Sequence, residues 1–209
     1  MTDNPSPHRE PSSASSQPAE EPLAFAHRID PTHSWDDLPL PLDAKAAFRD
    51  LCQRLTRDRR ASASPGSPRP SSPAHGVSVL FTGPSGAGKT IAAALLAREI
   101  GLTPYRIDTA AVVSKYIGET EKNLDRVFAS ASPGSLLFFD EADALFGKRS
   151  EVRDSHDRYA NIEINYFLQK AEAFGGVVIL AAHLKQNLDP AFLRRFAFTL
   201  DFPARDEGE

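Results

Sequence analysis

Eight consecutive residues, Gly83, Pro84, Ser85, Gly86, Ala87, Gly88, Lys89 and Thr90, carry the spacing G-x-x-x-x-G-K-T. The chemistry this permits is phosphate binding. Glycines let the backbone curl so that successive amides, with the amino end of a following helix, aim their partial positive charge at one β-phosphate. The Lys89 ammonium then neutralises β and γ oxygens, the Thr90 hydroxyl ligates magnesium, and Ile91 completes the cradle. Further along, the apolar run Leu136, Leu137, Phe138, Phe139 delivers two acids, Asp140 and Glu141, to its carboxyl end. In open parallel sheets that end is where ligands collect. There Asp140 is suited to hold magnesium through its water shell and Glu141 to act as general base on an attacking water. Two acids alone would be read as solvating a strand end; behind a phosphate loop they read as a second part of one site.

Such a site needs strands to carry the loops. Val77 to Thr82 reads as a short apolar strand and Lys89 to Ile100 as a helix with Ile91, Leu95, Leu96 and Ile100 facing inward. Tyr105 to Asp108 is expected as a second strand, Glu119 to Ala131 as a helix, and Leu136 to Asp140 as a third strand. Tyr159 to Phe174 follows as a helix, Val177 to Ala182 as a fourth strand and Phe196 to Phe202 as a fifth. Strands without polar alternation, separated by helices, predict an α/β fold with a parallel sheet and right-handed crossovers. Ahead of it, Trp35, Leu38, Leu40 and Leu42 precede a helix over Asp43 to Arg59, with Phe48, Leu51, Cys52 and Leu55 on one stripe.

Composition bounds the rest. The chain has 209 residues, 41% hydrophobic and 25% charged, enough for one globular domain with tails. Twelve of its 17 prolines fall before residue 74. Residues 1–22 offer almost no large apolar side chain to offset the entropy of ordering, so residues 1–27 are expected as a disordered tail. Residues 28–60 form an amino-terminal segment with its helix, residues 61–75 a Pro/Ser-rich linker, and residues 76–209 the core. Twenty-four Lys plus Arg against 28 Asp plus Glu give a net charge of −4, hence no global pull toward nucleic acid or a membrane surface. The one cysteine, Cys52, is expected as a small buried residue in a reducing cytoplasm. No apolar run approaches the roughly 18 residues of a membrane span, and the first residues lack a signal-peptide centre.

Together these residues resemble the AAA ATPases from about Arg28 to Pro203. The resemblance implies a P-loop NTPase three-layer domain with a five-stranded parallel sheet in the order 5-1-4-3-2, and ATP with Mg2+ as its ligands. It also assigns Ser114, Lys115, Tyr116, Ile117, Gly118, Glu119, Thr120 and Glu121 to the family's first pore loop. There Tyr116, flanked by Lys115 and Ile117, would grip a polypeptide in the channel of a hexameric ring. The stretch from Phe146 to Asn161 is similar to a bacterial subgroup that includes members encoded with phage-tail-like contractile injection systems. Arg194 and Arg195 match the arginine fingers that reach from one subunit to the γ-phosphate bound by the next, and a guanidinium there stabilises charge on the transferring phosphoryl group. Trp35, Asp36, Asp37 and Leu38 occupy the place where the family's amino-terminal segment passes the adenine.

Two departures stand out. His183 replaces the family's sensor asparagine, which orients the attacking water; an imidazole also donates a hydrogen bond, but protonation near neutral pH adds charge beside the phosphate. The chain also stops at Glu209, where the family continues into a small helical lid. The expectation is therefore an ATPase subunit of a homo-oligomer, its lid absent or supplied by a partner, with hydrolysis altered by both departures. The alternative is a regulatory subunit that binds nucleotide and hydrolyses it weakly. Asp140, Glu141, Ala142 and Asp143 also spell a helicase motif, which would demand a second motor domain and a basic channel that the sequence lacks.

Overall fold

The computed structural model describes residues 24–30, 32–63, 76–146, 156–183 and 193–204. In chain order these form β1 (Ala26–Arg28), α1 (Leu42–Ala63), β2 (Val77–Thr82), α2 (Lys89–Ile100), β3 (Thr103–Ile107), α3 (Thr109–Val112), α4 (Glu119–Ser130) and β4 (Ser135–Phe139). A 3-10 turn (Ala142–Phe146), α5 (His156–Phe174), β5 (Val177–Ala182) and β6 (Phe198–Asp201) complete the described chain.

One sheet runs in the order β1-β3-β4-β5-β2-β6. The five strands read from the sequence stand in the expected order, and all four of their pairings are parallel. The sheet nevertheless has six strands rather than five. β1 pairs antiparallel with β3, Ala26 opposite Ile107 and Arg28 opposite Tyr105. Three residues, Ala-His-Arg, carry no alternation long enough to betray a strand; what makes them one is the open edge of β3. The boundary drawn at residue 27 for a disordered tail accordingly falls inside a strand, and α1 runs past Arg59 into residues assigned to the linker.

Strand side chains alternate between two cores, as the period of a strand requires. Val79, Phe81, Leu136, Phe138, Ile179, Leu200 and Phe202 face α1 and α2. Leu80, Ile107, Leu137, Phe139, Val178 and Leu180 face the layer built by α4 and α5. That gives three layers. On the first face the expected stripe of α1 is buried, Phe48 completely, with Cys52 among it. Trp35 clamps the segment ahead of α1: its ring meets Phe48 at 5.3 Å, its Nε1–H donates to Glu99 at 3.1 Å, and the Arg49 guanidinium lies 5.0 Å over it. Among the described residues no helix is long and apolar enough to cross a membrane.

Candidate active site

The phosphate-type loop joins β2 to α2, and two of its glycines are required by geometry. Gly83 has φ 143°, and a Cβ there would stand 2.2 Å from the Phe202 carbonyl oxygen; Gly88 has φ 96°, and a Cβ would meet the Pro39 ring at 2.7 Å. Both conformations fall where L side chains are strained. Gly88 also caps α2, whose first turn has neither a side-chain cap nor an acid. Its leading amides thus carry the helix's partial positive charge with no side chain neutralising it, the arrangement that receives an anion. Pro39 and Leu38 press on Gly88 from outside, so the amino-terminal segment braces the loop.

Lys89 is buried, and its Nζ donates to the carbonyl oxygens of Gly83 at 2.7 Å and Pro84 at 2.8 Å. Burial draws its ammonium below the usual lysine range, against the opposing pull of the Asp140, Asp143 and Glu141 carboxylates. A phosphate oxygen is a better partner for that charge than two neutral carbonyls.

The wall opposite is the end of β4. Asp140 is fixed from three sides: its Oδ1 accepts the Glu141 amide at 3.0 Å, its Oδ2 pairs with Arg106 at 2.9 Å, and its carbonyl accepts the Thr109 hydroxyl at 2.6 Å. Glu141 follows with φ 52°, left-handed backbone that a non-glycine residue occupies at a cost of about 1–3 kcal/mol. The turn leaves its side chain exposed at the rim. One turn on, Asp143 Oδ2 accepts both the His183 amide at 2.9 Å and His183 Nδ1 at 3.0 Å.

The two walls enclose a cleft of about 250 Å³. Ser85, Gly86, Gly88, Lys89, Thr90 and Ile91 line one side; Arg106, Asp140, Glu141 and His183 line the other. Gly83 and Pro84 supply the carbonyls that seat Lys89, and Ala87 is packed beneath the loop. Thr90 and Asp140 offer only oxygen donors, which suits magnesium. Among the described residues no cluster of three or more His, Cys, Asp or Glu could hold an ion alone. The residues present therefore fit a magnesium ion that takes most of its ligands from phosphate and water. A larger cleft, about 520 Å³, lies between α1 and α2 around Trp35, Cys52 and Glu99 and shares no residue with the site.

The sequence missed two members. Arg106 is a charge on a strand adjoining the one that carries Asp140, a signal that was available. Asp143 was visible only as the last letter of a helicase-like run; that it holds His183 depends on β5 lying beside β4.

Other expected residues lie elsewhere. Lys115, Tyr116 and Ile117 stand in the loop before α4, Tyr116 65% and Ile117 88% exposed, with the Lys115 ammonium 5.3 Å over the Tyr116 ring. Thr120, fully buried, anchors this loop by accepting the Ser114 amide at 3.0 Å. Arg194 and Arg195 precede β6 at the end of the sheet opposite the cleft. The Ala197 amide bonds the Ser78 carbonyl near the start of β2, five residues before Gly83 and hence roughly 15 Å away at strand rise. Arg195 bonds Asn165 and lies 3.8 Å from Glu172, both on α5, while Arg194 is exposed. Residues 147–155 and 184–192, which hold most of the charged stretch after Phe146 and the segment Asn187 to Phe192, lie outside the described residues.

A family description, "ATPase family associated with various cellular activities (AAA)", matches residues 79–204. An uncharacterized AAA family ATPase of Sinorhizobium fredii is 34% identical over 185 residues, 85% of this chain and 52% of the relative. Cell division protein C of Sulfolobus acidocaldarius is 38% identical over 128 residues, 56% of this chain and 34% of that protein. The proteasome-activating nucleotidase of Pyrococcus abyssi is 35% identical over 136 residues, 61% of this chain and 34% of that protein. The chain spans about half or less of the length of these relatives.

Proposed function

The chain belongs to the AAA ATPase family, and from that premise we propose that it binds ATP with magnesium, hydrolyses it, and spends the energy on a polypeptide. The observation that carries this is the single cleft in which Lys89, Thr90, Asp140 and Glu141 face one another.

The loop amides and the first turn of α2 receive the β-phosphate, and Lys89 leaves its carbonyl seat for the β and γ oxygens. Thr90 and Asp140 would hold magnesium, which when bound screens the charge of the phosphoryl group being transferred. Glu141, at the exposed rim, takes the proton of the attacking water while the Asp140 amide-bonded carboxylate stays fixed by Arg106. Arg194 and Arg195 complete the site of a neighbouring copy in a homo-oligomeric ring, because their own cleft lies a strand length away. Tyr116 and Ile117, exposed on an anchored loop, form the surface that meets a protein substrate. This reading places the work in the cytoplasm and requires no nucleic acid or membrane. The likeness of the stretch from Phe146 to Asn161 supports membership of the bacterial subgroup that includes proteins encoded with phage-tail-like contractile injection systems.

Phosphate release from MgATP, compared between the parent and Lys89→Ala at high protein concentration, tests the proposal. Release no greater than that of the variant, from protein that stays folded, would overturn the enzyme. His183 in place of an asparagine favours a second reading, a subunit that binds ATP without turning it over. Intact ATP binding with turnover at the Lys89→Ala level would select it.

A further inference from the structure

Resting on the assignment of Glu141 as general base, we propose that Thr109 is a positioning residue for hydrolysis: its hydroxyl holds the peptide joining Asp140 to Glu141 and so aims the base. Thr109 is buried and opens α3, just past the end of β3. The β3–β4 ladder ends at the pair Ile107–Phe139, so the Asp140 carbonyl lies one residue beyond the last pair of these strands. There the Thr109 hydroxyl donates to it at 2.6 Å. The platform that carries the hydroxyl is itself tied down. The Asp108 amide donates to the Phe25 carbonyl at 2.8 Å, Asp108 Oδ1 accepts the Ala111 amide at 3.1 Å, and Asn123 on α4 donates to the Val112 carbonyl at 3.0 Å.

What the hydroxyl grips is one peptide plane. Thr109 holds its carbonyl, and Asp140 Oδ1 holds its N–H, that of Glu141, at 3.0 Å. A peptide group is rigid, so two held ends fix the plane, and the Glu141 side chain is then aimed by rotation about its own N–Cα bond. That rotation stands at φ 52°, left-handed backbone that a non-glycine residue keeps only where its surroundings impose it. Deprived of the donor on its carbonyl, the plane is free to turn over, which carries φ of Glu141 to negative values and its carboxylate away from the attacking water. Room for that turn lies alongside. A second cleft, of about 310 Å³, is bordered by Asp108, Thr109, Asp140 and Glu141 and meets the nucleotide cleft at the two acids. Thr109 does not line the nucleotide cleft and acts only through the backbone of Asp140.

Steady-state phosphate release from MgATP by the full chain, with the folded fraction taken from urea denaturation of the same samples, reads the role. Thr109→Val keeps the shape and removes the donor. Its kcat per folded chain should fall by about 10- to 100-fold, the effect of leaving a buried acceptor unpaired and within what general-base catalysis supplies. KM, and the calorimetric affinity for ATPγS with magnesium, should stay within about twofold of the parent, as for a group that acts only on the chemical step. Thr109→Ala loses the same donor in a smaller side chain and should match it, whereas Thr109→Ser keeps the donor and should restore kcat to within about threefold of the parent. In a Glu141→Gln background Thr109→Val should lower kcat no further, because no base is left to aim. Parental kcat in Thr109→Val and Thr109→Ala, an equal loss in Thr109→Ser, or a loss that multiplies undiminished onto Glu141→Gln would overturn the positioning and leave the ATPase standing. Release by the parent no faster than by Lys89→Ala would remove the enzyme itself, and the positioning with it.

Discussion

The phosphate loop and the Arg194–Arg195 turn sit at opposite ends of the same sheet, and they are assembled by different means. Everything the loop needs comes from its own chain: glycines packed against Phe202 and Pro39, a lysine seated on loop carbonyls, and two acids delivered by the next strand but one. The arginine turn has no counterpart of this kind. Arg195 is tied to Asn165 and Glu172 of its own chain, and Arg194 is exposed. On the proposed reading, these arginines stand a strand length from the cleft of their own chain and act on that of a neighbouring copy. A site split in this way would let the fold of one subunit prepare binding while the neighbour decides turnover.

The largest effect should separate the two arginines. Removing an arginine finger in the GTPase example costs about 10³ to 10⁵ in rate. Arg194→Ala should therefore lower ATP hydrolysis by at least about 10³ with nucleotide affinity unchanged, whereas Arg195→Ala loosens the turn and costs less. Mixing Arg194→Ala subunits with Glu141→Gln subunits should restore part of the activity, because some junctions then pair an intact base with an intact finger. Failure of the mixture to recover any phosphate release, in rings shown by sedimentation to contain both, would break the division between near and far regions.

Next comes the near side alone. Glu141→Gln keeps shape and removes the base, and general-base catalysis contributes typically about 10² to 10⁴. Hydrolysis should fall by that range while calorimetry finds ATP affinity within a few-fold of the parent. A variant that turns over at the parental rate would move the base to another residue.

The same contrast explains what could be read before any coordinates. Gly83 to Thr90 and Leu136 to Glu141 are local: their spacing dictates strand, turn and helix, and the chemistry rides on those turns. β2, α2 and β5 accordingly lie where periodicity placed them, with the same end residues. What escaped depends on residues far apart in sequence. β1 exists because β3 has an open edge. Arg106 meets Asp140 because β3 and β4 are neighbours, and Asp143 meets His183 because β4 and β5 are. Spacing marks none of these contacts; only the charge of Arg106, on a strand expected beside that of Asp140, offered a signal of another kind.

A smaller effect tests how far the brace on the near side extends. Phe48 is fully buried, contacts Trp35 and Phe81, and belongs to the helix that follows the segment leaning on Gly88. Phe48→Ala should cost about 3–5 kcal/mol of unfolding free energy, measured by urea denaturation. It should also weaken ATP binding beyond what the unfolded fraction explains, since Leu38, which stands against Gly88 beside Pro39, shares its core with Phe48. Unchanged affinity in the folded fraction would confine the brace to stability.

The smallest effect at neutral pH, and the one that isolates the near face by titration, belongs to Cys52. Burial, with the Glu99 carboxylate adding to it, pushes this thiol from 9.0 up to about 12. The folded chain keeps a proton that the unfolded chain gives up between those values. Stability is therefore indifferent to Cys52 below pH 9.0 and falls as pH rises toward about 12, by at most about 1.4 kcal/mol per unit. Lys89 works in the opposite sense: its lowered ammonium gives the unfolded chain the extra proton, so its cost to stability is full below the lowered value and is relieved as pH climbs from there to 10.5. The two overlap in alkali, and the parent curve alone cannot separate them. Cys52→Ala can, because it removes one slope and leaves the other. The difference in urea midpoint between parent and variant should stay constant from pH 7 to 9 and shift in the variant's favour by pH 10.5. A difference that stays constant throughout would mean that the α1–α2 interface admits water to the sulfur, and that the near region is looser than its packing indicates.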